Sequence, residues 1–214
     1  VRQAELLEIS RILQRVPMEP AEHFTEAVQS IHFVNFCLEG LYQLGRPDRY
    51  LLPYYLADRD KGILTEEEAQ QWIDCLCLMY DEYVPSGLAA GFMICGRDKD
   101  GRDMTNQLSY MFLDSIDHVR LSYPGIGVCW NPDTPEDILE KSCLLLSKGY
   151  SHPAIFNDDL IIRGLTEYGV PYEEACDYVH STCVEITLCR SSTVWVASPY
   201  INLLDPVLEL MGLT

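Results

Sequence analysis

Alternation constrains this chain more than any other feature. Four short apolar runs, Ala89 to Cys95, Gly125 to Trp130, Pro153 to Asn157 and Tyr178 to Glu185, are separated by stretches with helical spacing. Apolar runs of this length, bounded by turn residues, read as buried strands. Strands alternating with helices form parallel βα units of an α/β fold. Short strands buried on both faces suit either a barrel or a doubly wound sheet, and the pattern leaves both open.

The intervening segments carry their own signals. Segment 2–15 reads as an amphipathic helix with Leu6, Leu7, Ile9, Ile12 and Leu13 as its stripe, and Pro17 and Pro20 break it. Ala21 to Leu41 reads as a second helix, on Phe24, Ala27, Val28, Ile31, Val34 and Leu38. Gly45-Arg46-Pro47-Asp48 is a turn cluster ahead of the aromatic segment Tyr50 to Tyr55. Thr65 followed by Glu68 is a capping box, and Trp72, Ile73, Leu76, Met79, Tyr80 and Tyr83 form the expected buried face. Gly96 to Asp103 reads as a polar loop and Asn106 to Ile116 as helix. Thr134-Pro135-Glu136-Asp137 opens another helix with proline at its first position. Helices are also expected near 158–168, 171–176 and 198–210, the last interrupted by Pro206, with 186–192 irregular. The chain opens at Val1 and stops at Thr214 beside the apolar stretch Ile201 to Met211, so a piece of a longer polypeptide is expected.

Composition excludes several classes. Hydrophobic residues make up 48%, enough to bury a core. The net charge of −18 repels phosphate backbones, and no Lys/Arg cluster reverses it, so nucleic acid is not an expected partner. No apolar run approaches the roughly 18 residues of a membrane span. The nine cysteines are odd in number, never spaced as CxxC and mostly in apolar stretches. They fit small buried hydrophobes in a reduced, cytoplasmic protein better than a disulfide scaffold. His23, His32, His118 and His152 are scattered, and no metal site is expected. Gly96 to Gly101 lacks the spacing of a phosphate-binding loop. Asp158 and Asp159 read as helix-capping residues at a strand end.

The chemistry-bearing stretch is His180-Ser181-Thr182-Cys183-Val184-Glu185, at the end of a predicted strand. In extended backbone, residues two apart face the same side, with Cβ atoms roughly 6–7 Å apart. Cys183 and Glu185 would then meet one small substrate together, and His180 would face the other way. Cys-Val-Glu is short enough to arise by chance. Taken alone it reads as a core thiol and a solvated carboxylate.

The surroundings shift that balance. Phe24-Thr25-Glu26-Ala27-Val28-Gln29, Gly45-Arg46-Pro47-Asp48-Arg49-Tyr50 with Pro53-Tyr54-Tyr55, Thr105-Asn106-Gln107-Leu108-Ser109-Tyr110 and Pro153-Ala154-Ile155-Phe156-Asn157-Asp158 form an ordered series of blocks. In order and approximate spacing they resemble the glycyl radical enzymes, the family of pyruvate formate-lyase and the glycerol, propanediol and choline lyases. Cys183-Val184-Glu185 falls where that family carries its thiyl-radical cysteine.

The resemblance implies a fragment of a ten-stranded α/β barrel with surrounding helices. Residues 1–214 would be a partial pyruvate formate-lyase-type catalytic domain lacking the C-terminal glycyl radical domain, since no Arg-Val-x-Gly-Tyr motif occurs. It implies no bound cofactor. A glycyl radical would be installed by a separate activating enzyme that uses S-adenosylmethionine and an iron–sulfur cluster. The complete, anaerobic enzyme would be a homodimer acting on a small molecule. Cys183 would abstract hydrogen and Glu185 would accept a proton, which favours elimination: dehydration, or C–N, C–S or C–C lyase chemistry. Val184 stands where pyruvate formate-lyase has a second cysteine, which disfavours acyl transfer. Gly40, Leu41 and Ala197 stand where the diol dehydratases carry His, Ser and Asp, and unpaired diol hydroxyls would cost about 1–3 kcal/mol each. The pocket is therefore expected to be more apolar, with Tyr42 and Trp195 as candidate substrate-binding walls, although ordinary aromatic core is an equal reading of both. The alternatives are a radical decarboxylase of aryl- or alkyl-acetate type, a catalytically silent α/β domain, and thiolate chemistry at Cys183 with His180 as base.

Overall fold

The computed structural model describes residues 2–38, 43–83, 91–180, 185–191 and 204–213. Cys183, Tyr42, Trp195, Gly40, Leu41 and Ala197 lie outside these residues. The first elements are helices α1 (Arg2–Leu13), α2 (Phe24–Cys37), α3 (Pro47–Tyr50), α4 (Leu52–Asp60) and α5 (Glu66–Tyr83). Next come strand β1 (Gly91–Cys95), α6 (Gln107–Val119), β2 (Gly125–Trp130), α7 (Glu136–Ser147), β3 (Ala154–Asn157) and α8 (Asp158–Glu167). The chain continues through α9 (Tyr172–Ala175), β4 (Tyr178–His180), β5 (Ile186–Leu188) and α10 (Asp205–Leu210).

β1, β2 and β3 form a parallel sheet in that order, with Gly91 opposite Gly125 and Gly127 opposite Ala154. Alternation splits its side chains between two faces. Phe92, Ile94, Ile126 and Val128 point into a core shared with α2, α5 and α6, where Phe92 meets Phe112 edge-on at 4.9 Å. Met93, Cys129 and Phe156 point the other way, into a smaller cluster with Ile162, Cys176, Tyr178 and Val179. The helices cover one face, and α8, α9 and the β4–β5 pair cover the other.

β4 and β5 depart from the expected parallel pattern. They pair antiparallel in a sheet of their own, with Tyr178 opposite Leu188 and His180 opposite Ile186. Only residues 181–185 join them, and a parallel return needs a crossover of a dozen or more residues. The apolar pattern predicts one strand through Glu185 and an irregular stretch over 186–192. The chain instead turns back, and Ile186-Thr187-Leu188 is the second leg of a hairpin.

Several helix boundaries move for identifiable reasons. α2 starts at Phe24 rather than Ala21, because Asp58 accepts the Phe24 N–H at 2.7 Å and lies 2.9 Å from His23 Nδ1. The capping box at α5 is present: Glu68 accepts the Thr65 N–H at 2.9 Å and Thr65 accepts the Glu68 N–H at 3.1 Å. Trp72, expected on the buried face of α5, is 38% exposed, since the buried stripe runs through Ala69, Ile73, Leu76, Cys77 and Tyr80. Pro135 is the N-cap of α7 rather than its first helical residue. The stripe on α1 is uncovered, with Leu6, Leu7, Ile9 and Leu13 exposed. Ion pairs from Arg11 and Arg15 to the buried Glu26 tie α1 down.

The ends of the strands are held by Arg46, Asp48 and Arg49. Leu44 donates to Gly91 O and Met93 donates to Gly45 O, so segment 44–45 runs along the free edge of β1. Arg46, 3% exposed, then donates to the carbonyls of Cys95, Cys176 and Tyr178 at 3.1, 3.3 and 3.1 Å, and to Cys129 Sγ at 2.8 Å. Its guanidinium lies 4.9 Å from the Tyr178 ring centroid. Asp48, fully buried, accepts the Cys95 N–H and the Ser109 hydroxyl, both at 2.7 Å. Arg49 donates to Cys95 O at 2.8 Å and Arg97 O at 3.0 Å, and Asn106 Nδ2 to Asp48 O at 3.2 Å.

In the full-length protein, Asp48→Ala orphans a buried N–H and a hydroxyl at once, and should lower equilibrium unfolding stability by about 3 kcal/mol. Asp48→Asn, which keeps one acceptor oxygen, should cost less. Burial pushes the Cys77 thiol from its ordinary 9.0 up to about 12, against a smaller lowering by Ser115. A raised folded-state value means stability is fully present below pH 9 and falls as pH climbs towards 12. Denaturant titrations from pH 8 to 11 should show that decline, and Cys77→Val should lessen it, the remainder coming from the other thiols raised by burial, Cys95, Cys129 and Cys189.

Candidate active site

Glu185 is the one candidate catalytic residue among the described ones. It lies immediately before β5, one position beyond the last paired residues His180 and Ile186, and it is exposed. It is therefore not in a strand. The shared-face expectation for Cys183 and Glu185 needs extended backbone through 183 and 184, which lie outside the described residues.

His180 closes β4 and is 5% exposed. Its ring is turned into the sheet and stacks on Phe156, with centroids 5.5 Å apart and planes inclined by 22°. Nε2 lies 3.1 Å from Gly125 O; a carbonyl only accepts, so Nε2 carries the proton. The His180 N–H points at Met93 Sδ, 3.1 Å away. This is the satisfied, structural histidine that sequence reasoning favours.

The sheet accepts this ring because side chains are missing from it. A Cβ on Gly91 would lie 2.9 Å from His180 Cε1, and one on Gly127 would lie 2.9 Å from both His180 Cδ2 and Phe156 Cε2. A Cβ on Gly91 would also come within 2.3 Å of Gly125 O. Glycine inside a strand marks such a close approach. Sequence reasoning missed Gly91, Gly125 and Gly127, although glycine at alternate positions of a buried strand was the available signal.

The other singled-out residues are structural. Asn157, not Asp158 or Asp159, caps α8, accepting the Leu160 N–H at 3.0 Å. Asp158 is buried and accepts the Arg97 N–H at 2.7 Å, and Arg97 pairs with Asp159 at 2.5 Å and Asp133 at 2.7 Å. Those contacts join the loops after β1 and β2 to the first turn of α8. His118 lies 2.8 Å from Asp74, and His152 contacts Ser122 O. Among the described residues no group of three His, Cys, Asp or Glu side chains could hold a metal, and no helix is long and apolar enough to cross a membrane.

A cavity of about 840 Å³ lies between segment 43–50 and the α9–β4–β5 region. Its charged lining is Arg46, Arg49, Lys99, Arg190, Asp98, Glu173, Glu174 and Asp177, with Arg190 3.5 Å from Asp177, and Cys176, Val179 and Cys189 also line it. Burial pushes the Cys189 thiol up to about 11 and the Cys129 thiol behind it to about 11, so both stay protonated near neutrality. Glu185 is not part of this lining.

Comparison with known proteins accounts for the arrangement. The family model described as "Pyruvate formate lyase-like" matches residues 1–211. The chain is 32% identical to the isethionate sulfite-lyase of Bilophila wadsworthia, over 97% of this chain and 27% of that protein. It is 29% identical to the trans-4-hydroxy-L-proline dehydratase of Clostridioides difficile, over 98% of this chain and 29% of that protein. A solved structure described as 1,2-propanediol dehydration in Roseburia inulinivorans superposes with a TM-score of 0.80 at 32% identity, covering 87% of this chain and 26% of that one. The chain thus spans about a quarter of the length of the relatives it matches. The parallel sheet, the hairpin laid against it and the blocks clamped around Arg46 are those of the pyruvate formate lyase-like family, the glycyl radical enzymes, and the chain belongs to it.

Proposed function

We propose that the full-length protein is a glycyl radical eliminase in which Cys183 carries the thiyl radical and Glu185 accepts a proton. The observation that supports this reading is the seating of the β4–β5 hairpin on the glycine-bared face of the parallel sheet, with Glu185 immediately before β5 and Cys183 in the stretch of sequence that joins the two strands. The relatives support the reaction class, since one is a C–S lyase by name and another a dehydratase. The chamber around Glu185 would be completed by parts of the protein beyond these 214 residues, and the radical glycine would lie there too. A separate activase using S-adenosylmethionine would form the glycyl radical, and oxygen would destroy it.

The chemistry balances as an internal elimination. The glycyl radical takes the hydrogen atom of Cys183 Sγ–H. The Cys183 thiyl then takes a hydrogen atom from a substrate carbon that bears a hydroxyl. Glu185 accepts the hydroxyl proton, and the ketyl radical so formed expels the leaving group from the neighbouring carbon. The resulting carbon radical recovers hydrogen from Cys183, the thiyl is restored, and the proton leaves Glu185 with the departing group. The products are a carbonyl compound and water or sulfite. Positioning and exclusion of water, not a lowered thiol pKa, set the rate.

Activated full-length enzyme should be tested with isethionate, whose hydroxyl-bearing carbon neighbours the C–S bond. Cys183→Ser should abolish turnover while the glycyl radical doublet in the EPR spectrum persists; normal turnover would remove Cys183 from the mechanism. Glu185→Gln should still bind substrate but slow elimination by about 10²–10⁴-fold, the range for a lost general base. A rate near wild type would assign the proton to another group.

A further inference from the structure

We propose that His180 is a positioning residue of the radical reaction: a peg, set in a glycine-lined socket, that fixes where the Cys183-bearing segment leaves the sheet. The inference rests on the proposed role of Cys183, and it concerns a residue that makes no contact with the reacting atoms.

Four observations converge on the ring. It is buried at the last paired position of β4. Its Nε2–H meets Gly125 O at 3.1 Å, at the start of β2. Its face lies on Phe156 of β3, and its backbone N–H meets Met93 of β1. One residue therefore touches all three strands of the parallel sheet.

The socket is built by the ring together with its neighbours: a Cβ on Gly127 would also lie 2.9 Å from Phe156 Cε2 and 3.0 Å from Met93 Cε, and one on Gly91 only 2.3 Å from Gly125 O. Gly91 and Gly127 are the places where any Cβ would strike its Cε1 or Cδ2 at 2.9 Å. Interior glycine costs a strand stability, so two such positions under one ring mark a fit that depends on close approach. A side chain packed for general burial could shift by a few tenths of an ångström without consequence. A ring held by a directed hydrogen bond, a stack and two bare backbone positions has one place to sit.

That place matters because Cys183 lies only three residues further along the chain. Three residues span at most about 11 Å, so the position of His180 bounds where Cys183 can reach. Hydrogen-atom transfer needs near-contact geometry, and a misplacement of about 1 Å can cost about 10²-fold in rate.

The test needs no substrate. In activated full-length enzyme held anaerobically in D₂O, the glycyl radical takes an atom from Cys183, whose S–H has exchanged to S–D. The methylene so formed then returns a hydrogen atom to the sulfur. Repeated transfer replaces the glycyl α-hydrogen by deuterium and collapses the EPR doublet to a singlet. The collapse rate per radical reports the reach of Cys183, independently of radical yield or overall stability. His180→Phe keeps the stack and loses the Nε2–H, and should slow collapse about 10²-fold. His180→Gln, whose amide N–H can reach Gly125 O, should recover at least tenfold of that loss. Gly127→Ala, which crowds the ring from the sheet side, should slow collapse as His180→Phe does.

The proposal is overturned if His180→Phe and Gly127→Ala lower radical yield or unfolding temperature while collapse per radical stays at the wild-type rate. If His180→Phe does not fold, a wild-type collapse rate in Gly127→Ala overturns it alone. Cys183→Ser is the separate control: collapse that survives in that variant refutes the assignment of Cys183, whatever His180 does.

Discussion

One buried guanidinium organises this half-sheet. Arg46 lies in the interior and spends its donors on three main-chain carbonyls and a thiol, drawn from the end of β1, the end of β2 and the turn into β4. A buried charge is tolerated only when its hydrogen bonds are made, and here the planar fork reaches four acceptors that no single helix or strand could bring together. Asp48 and Arg49, on the same turn of chain, hold the Cys95 N–H and the Cys95 carbonyl. The end of β1 is thus fixed from both sides before the hairpin is laid on the sheet.

The blocks that carried the family resemblance serve this framework. Gly45 to Arg49 and Thr105 to Ser109 lie far apart in sequence, yet Ser109 and Asn106 bond to Asp48. The block at 153–158 ends at Asp158, which receives the Arg97 N–H just past β1. Their spacing records a framework. The residues proposed for the chemistry belong instead to the short stretch of sequence between His180 and Ile186.

The sequence made the framework readable wherever local signals governed. β2 begins and ends where its apolar run does, and the Thr65–Glu68 box closes as the spacing required. It failed where the deciding partner was distant. Nothing near Ala21 reveals that Asp58, more than thirty residues on, sets the first turn of α2. Nothing in Tyr178 to Glu185 alone reveals that Tyr178 to His180 pairs antiparallel with Ile186 to Leu188. The length of the connection decided the antiparallel return, and that length shows only once Ile186 to Leu188 is recognised as a strand. Glu185 stands out in the sequence by its spacing to Cys183, whereas the glycines that seat the hairpin carry no side chain to notice.

Those bare positions make the hairpin and the sheet inseparable partners in any redesign. An interface built from side chains can be re-cut by exchanging one pair for another. One built on their absence has nothing to exchange, because every substitution at Gly91 or Gly127 adds bulk under the ring. A protein engineer seeking a new substrate would have to leave this floor untouched and carve the opposite walls. Within such a lineage, the choice of molecule can diversify while the floor that seats the hairpin stays fixed.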